Sequence, residues 1–133
     1  GLEDAMKKAL RDSVLEPSAI NYVNAHAPST PIGDASELCA IKKVFPEPQN
    51  VSISSTKALT GHGLSLSSIM EAGFCCLALK DGFLPGSANV EEADDAIGHL
   101  DLLRETIDRQ AEHVLSNSSG FGGANVSLVF GRT

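Results

Sequence analysis

Ile20-Asn21-Tyr22-Val23-Asn24-Ala25-His26-Ala27-Pro28-Ser29-Thr30-Pro31 is the stretch on which the fold turns. Residues 20–25 read as a strand apolar enough to be buried on both faces, and a polar loop carrying a histidine follows at once. The construction recurs at Val51-Ser52-Ile53-Ser54-Ser55-Thr56-Lys57-Ala58-Leu59-Thr60-Gly61-His62. There a short strand over 51–54 leads into a loop with a lysine and a second histidine. Loops at strand ends are where an α/β scaffold aims side chains at a shared substrate.

Working outward, Leu2, Ala5, Met6, Ala9, Leu10 and Val14 recur at helical spacing, opposite Lys7, Lys8 and Arg11. This predicts a helix over 2–14, ended by Glu16-Pro17. A second helix is expected over 34–44, with Asp34 at its cap and Glu37 three residues on as a capping box. A third, over 64–80, is so nearly uncharged that protein should enclose it on most sides. Residues 83–110 carry Pro85, Gly86 and the acidic run Glu91-Glu92-Ala93-Asp94-Asp95, which suggest extended and looped structure, with a helical turn over 100–107. Strands are expected over 113–117 and 124–130, flanking a glycine-rich turn. The order of elements implies an α/β class: a layered mixed sheet, mostly parallel through right-handed crossovers, with a closing antiparallel pair. Residues 1–133 are read as one domain.

At 133 residues and 42% hydrophobic, with no Trp and one Tyr, the chain can bury one mainly aliphatic core. A net charge of −7 with scattered basic residues argues against a nucleic-acid partner. Three cysteines, two adjacent at Cys75 and Cys76, make a poor disulfide framework and fit a reducing compartment. All three sit on predicted apolar helices and read as packing residues. No signal peptide is visible, and the apolar stretch 63–79 is short for a bilayer and interrupted by Glu71, so a soluble cytoplasmic protein without membrane contact is expected.

Two imidazoles can donate to an oxygen that gains negative charge, and a nearby ammonium can supply positive potential. His26, His62 and Lys57 are therefore the candidate catalytic set. His99 and His113 lie outside these loops and read as structural. The His and Cys residues lack C-x-x-C or H-x-x-x-H spacing, so no metal is expected. Residues 119–123 are glycine-rich, but the residues after them alternate like a strand. A phosphate cradle needs a helix there, so a nucleotide reading fails. Glu71 on an apolar helix needs a partner, and a salt bridge, a backbone contact or catalysis are all open.

Together, Tyr22-Val23-Asn24-Ala25-His26, Ser55-Thr56-Lys57 with Thr60-Gly61-His62, and Ser116-Asn117-Ser118-Ser119-Gly120-Phe121-Gly122-Gly123-Ala124-Asn125 resemble the carboxy-terminal half of elongating β-ketoacyl-acyl-carrier-protein synthases. These are condensing enzymes of thiolase-like fold, and the resemblance covers nearly the whole chain. It implies an acyltransferase that extends an acyl thioester by decarboxylative condensation with malonyl-acyl-carrier protein, in fatty-acid or polyketide synthesis. His26 and His62 would then hold the malonyl thioester carbonyl, with Lys57 tuning their electrostatics. Asp34 and Glu37 match acidic positions near this lysine, and Glu71 matches a buried glutamate. The backbone N–H of Phe121 would help form an oxyanion hole while its ring gates the acyl pocket, and Thr30 would bind the pantetheine arm. No resident cofactor is implied, because phosphopantetheine arrives on the carrier protein.

Where the family usually writes His-Gly-Thr-Ser-Thr-Pro, this chain has His26-Ala27-Pro28-Ser29-Thr30-Pro31, and Ser65-Leu66-Ser67-Ser68 replaces a Gly-Ala-Ala-Gly-like run. No Ala-Cys-Ser-type motif for the acyl-accepting cysteine occurs. The implied partners are an acyl carrier protein, an amino-terminal half of the same enzyme bearing that cysteine, and a second copy in a homodimer. The chain alone is expected to be inactive and to self-associate. The alternative is a non-catalytic chain-length factor or scaffolding subunit of a synthase.

Overall fold

The computed structural model describes residues 1–49 and 51–133. Helix α1 (Leu2–Ser13) buries Met6 and Leu10 and stops where Val14 turns left-handed, with φ 57°. Strand β1 (Tyr22–Asn24) comes next, then α2 (Pro31–Val44) and β2 (Ser52–Ser54). A single turn, α3 (Lys57–Thr60), and a 3₁₀ turn at Leu64–Leu66 lead into α4 (Ser67–Asp81). Short strands β3 (Phe83–Leu84), β4 (Asp101–Leu102) and β5 (Ile107–Asp108) precede the long pair β6 (His113–Ser119) and β7 (Asn125–Gly131).

The main sheet runs β4-β2-β1-β6-β7. The β1 strand is parallel to both neighbours, with Val23 beside Ile53 and Leu115, while β6 and β7 are antiparallel. This is the mixed sheet expected from the sequence. Alternation along β1 divides two cores. Val23 packs with Met6, Leu10, Ile41, Val44 and Ile53 under α1 and α2, and Tyr22 packs with Cys75, Leu79 and Val114 under α4. A strand covered on both faces has no solvent side, which is why Tyr22 and Val23 stand at consecutive positions and the buried Asn24 donates to the Tyr22 hydroxyl.

Four expectations are corrected. Helix α2 begins at Pro31, not Asp34, because proline's fixed φ and missing N–H suit the first helical position. Asp34 lies one turn inside, its carboxylate accepting the Thr30 N–H at 3.0 Å, and Glu37 does no capping. The predicted helix over 64–80 is enclosed on one face only. Ser67, Glu71, Cys75 and Ala78 are buried, but Leu66, Ile69 (69% exposed) and Leu77 face outward. The helical turn expected over 100–107 is instead strand β4, an edge strand paired with β2, and then β5, which pairs with β3. Ser52 and Arg109 hold the Asp101 carboxylate at 2.7 and 3.4 Å, fixing β4 as an edge strand. Of the cysteines only Cys75 is a packing residue. Cys39 and Cys76 are exposed on the outer faces of their helices.

Candidate active site

The parallel strands β1 and β2 end side by side, with Asn24 level with Ser54 and with Ser116 of β6, which runs on to Ser119. The loops after β1 and β2 therefore emerge together beside residues 117–119 of β6. His26 lies two residues beyond β1. Lys57 opens the turn after β2, and Gly61 at φ 71° then swings the chain so that His62 comes back toward His26. The two rings meet edge to face, with centroids 5.2 Å apart and planes at 80°.

The loop after β1 is held from α2. The Glu37 carboxylate accepts the consecutive backbone N–H groups of His26 and Ala27 at 2.9 and 2.8 Å, and Asn117 of β6 donates to it at 3.2 Å. Ser127 of β7 in turn donates to the Asn117 side-chain oxygen Oδ1 at 2.8 Å. This clamp holds a backbone that bends against its own preference, since Ala27 and Ser29 sit at φ 20° and 70°. Burial pushes the Glu37 carboxyl upward, opposed by the hydrogen bonds it accepts.

His26 Nδ1 is buried without a hydrogen-bond partner, and the residue lines a cavity shared with His62. Burial, with the positive charge of Lys57 and then His62, lowers its pKa to about 4, which keeps the ring neutral at neutral pH. At His62 the Leu64 N–H donates to Nδ1 at 3.2 Å, and the Ser67 hydroxyl lies 3.0 Å from the same nitrogen. A backbone N–H can only donate, so neutral His62 carries its proton on Nε2. His62 is thereby set up as an Nε2–H donor.

Behind them Lys57, 7% exposed, is ion-paired with Glu71, 1% exposed, across the turn between α3 and α4. Of the readings open for Glu71, the salt bridge is the one realised. Burial raises the Glu71 carboxyl and the ammonium opposes that. Asp34 and Glu37 do not pair with this lysine. Asp34 binds the Thr30 N–H and Glu37 the loop amides, because α2 delivers both to the loop after β1.

A cavity of about 1,020 Å³ is lined by His26, His62, Pro28, Thr30, Glu37 and Phe121, among others. Phe121 is 95% exposed at the Phe121–Gly123 turn, where Gly122 and Gly123 adopt φ of 76° and 83°. The structure thus brings His26, His62, Thr30 and Phe121 to one cavity with Glu37 at its wall, and keeps Lys57 and Glu71 beneath. Asp34 lines the adjoining cavity of about 520 Å³ that also touches Thr30. Sequence reasoning assigned no role to Asn117 or Ser67. A buried polar residue inside an apolar strand is the signal that could have found the first. Cys75 is no nucleophile, since burial pushes its thiol up to about 12.

Parallel strands lead into loops that bring His26 and His62 to one cavity, with Lys57 buried beneath, on a mixed sheet of thiolase-like half-fold. The family model for the beta-ketoacyl synthase C-terminal domain matches residues 1–91. The chain is 46% identical over 110 residues to 3-oxoacyl-[acyl-carrier-protein] synthase 1 of Escherichia coli K12, covering 83% of this chain and 27% of that protein. Among solved structures it superposes on the ishigamide ketosynthase/chain length factor with TM-score 0.95 and 29% identity, over 100% of this chain and 33% of the other. It matches AntDE:AntF, a type II polyketide synthase acyl-carrier protein in complex with its ketosynthase bound to the hexaketide, with TM-score 0.94 and 29% identity over the same shares. The chain belongs to the β-ketoacyl synthase family and corresponds to its carboxy-terminal half. It spans a third or less of the length of these relatives. Among the described residues no helix is long and apolar enough to cross a membrane.

Proposed function

We propose that this chain supplies the decarboxylation half of a β-ketoacyl-acyl-carrier-protein synthase site, extending an acyl thioester with malonyl-acyl-carrier protein in fatty-acid or polyketide synthesis. The observation that carries the reading is the meeting of the His26 and His62 rings, centroids 5.2 Å apart, on one cavity. When the malonyl thioester loses carbon dioxide, the electrons of the breaking C–C bond move to the thioester oxygen. Preorganised donors aimed at that oxygen are worth about 2.7–4 kcal/mol each. Low basicity suits His26 to this task, because a neutral ring donates without surrendering a proton. The enolate carbon then attacks an acyl thioester on a cysteine of the parent protein outside this chain, and the thiolate leaves. The Phe121 N–H receives the resulting oxyanion, its ring gates the acyl pocket, and Thr30 binds the pantetheine arm of the carrier protein. Lys57 holds positive potential behind the histidines and Glu71 fixes it there. Retention of His26 and His62 in contact, with Lys57 buried beneath them, favours this role over a non-catalytic chain-length factor. The rest of the parent, and its twofold copy, are the surfaces against which the outer face of α4 rests.

The test is malonyl-carrier-protein decarboxylation by the parent protein. Replacing His26 or His62 by Ala lowers kcat about 10²–10³-fold, and wild-type rates in both variants defeat the reading. The chain made alone gives no elongation product, and turnover by it refutes the division of labour proposed.

A further inference from the structure

We propose that Ser67 is a positioning residue for His62, and that the first two turns of α4 form one rigid support for both His62 and Lys57. Ser67 is 3% exposed at the first position of α4, with its hydroxyl 3.0 Å from His62 Nδ1. One turn on, Glu71 stands on the same buried face and holds Lys57. Residues four apart on a helix project from one side with a spacing fixed by the backbone. The separation of His62 and Lys57 is therefore set by α4, although both precede it in the chain.

The Leu64 N–H and the Ser67 hydroxyl reach Nδ1 from different elements, the 3₁₀ turn and the helix. The Leu64 N–H fixes which nitrogen carries the proton. A hydroxyl donates or accepts equally well, so Ser67 adds little to that choice. What it adds is a second point of attachment. One bond leaves a ring free to tilt about it, and two hold its plane. His62 is itself exposed, and its ring meets that of His26 only edge to face.

The catalytic consequence rests on the function proposed above, and the test separates the two. In the parent protein, long-range ¹H–¹⁵N NMR reads the His62 ring directly. Ser67→Ala moves the Nδ1 resonance toward that of an unbonded imine nitrogen while Nε2 stays protonated, and Ser67→Thr restores it. Malonyl-carrier-protein decarboxylation by Ser67→Ala shows kcat lower by about two- to tenfold, the worth of one net hydrogen bond, with KM unchanged. If Nδ1 responds but neither wild type nor variant decarboxylates, the positioning role stands and the function fails. If Nδ1 and kcat are those of wild type in Ser67→Ala, the inference is overturned. Should that variant fold poorly, Ser67→Cys, which keeps the volume with a weak donor, gives the same displacement of Nδ1 or defeats the proposal.

Discussion

Replacing Lys57 by Met removes a charge while keeping much of the stem, and the structure fixes the consequence. Lys57 and Glu71 are both buried, and the second oxygen of Glu71 already has no hydrogen-bond partner. Lys57→Met therefore leaves a carboxylate with no counter-charge in the interior. Breaking a buried pair by removing one partner costs about 3–5 kcal/mol, whereas removing both charges is far milder. Urea unfolding of the parent protein at about pH 8 should show a loss of that size for Lys57→Met and recovery of most of it in Lys57→Met with Glu71→Leu. The pH dependence has a definite sign. An unpaired buried carboxyl titrates above its unfolded value, so the folded state retains the proton and the deficit shrinks as pH falls. His26 reports the same event independently, because Lys57 is one of the charges that depress it, and its pKa should rise from about 4 toward the ordinary imidazole value. A single variant within about 1 kcal/mol of wild type, or a double variant no better than the single, refutes the reasoning.

Glu37→Gln turns one of the two oxygens that hold the His26 and Ala27 amides into a donor. Hydrogen bonds to a charged group are worth about 1.5–3 kcal/mol, and a loss of that order is expected in chemical denaturation, together with slower decarboxylation. His26, depressed to about 4, favours the folded state above its unfolded value near 6.5, and that contribution is lost as pH falls between the two. The acid slope of stability should therefore flatten in His26→Asn, and an unchanged slope counts against the depressed pKa. The outward side chains Leu66, Ile69 and Leu77 at α4 with Val126 and Leu128 of β7 predict self-association of the chain made alone, and light scattering from a stable monomer argues otherwise.

Particular residues show how much could be read in advance. Strand β1 was legible because burial on both faces forces apolar residues at consecutive positions, and α1 because one face meets the sheet and the other water. The β6–β7 pair and its glycine turn were legible too, since alternation on either side of Gly122-Gly123 has few other meanings. Boundaries failed where tertiary contacts override local signals. Asp34 with Glu37 three residues on matches a capping box, yet Pro31 had already started the helix, and Glu37 was claimed by the His26 and Ala27 amides in the loop before that start. Edge strand β4 went unseen because two residues carry no period and only a partner defines them.

Chemistry divides along the same line. The amino-acid sequence alone determined the histidines, the lysine and the strand ends that carry them, because residue identity and apolar patterning are local properties. Tertiary structure alone decided that Glu71 rather than Asp34 or Glu37 neutralises Lys57, that Asn117 braces the loop after β1, and that two groups meet at His62 Nδ1. The reason is physical. A charge or a lone pair inside a protein binds whatever the packing brings within about 3 Å, and that neighbour is set by the sheet order β4-β2-β1-β6-β7, which no single stretch of chain encodes.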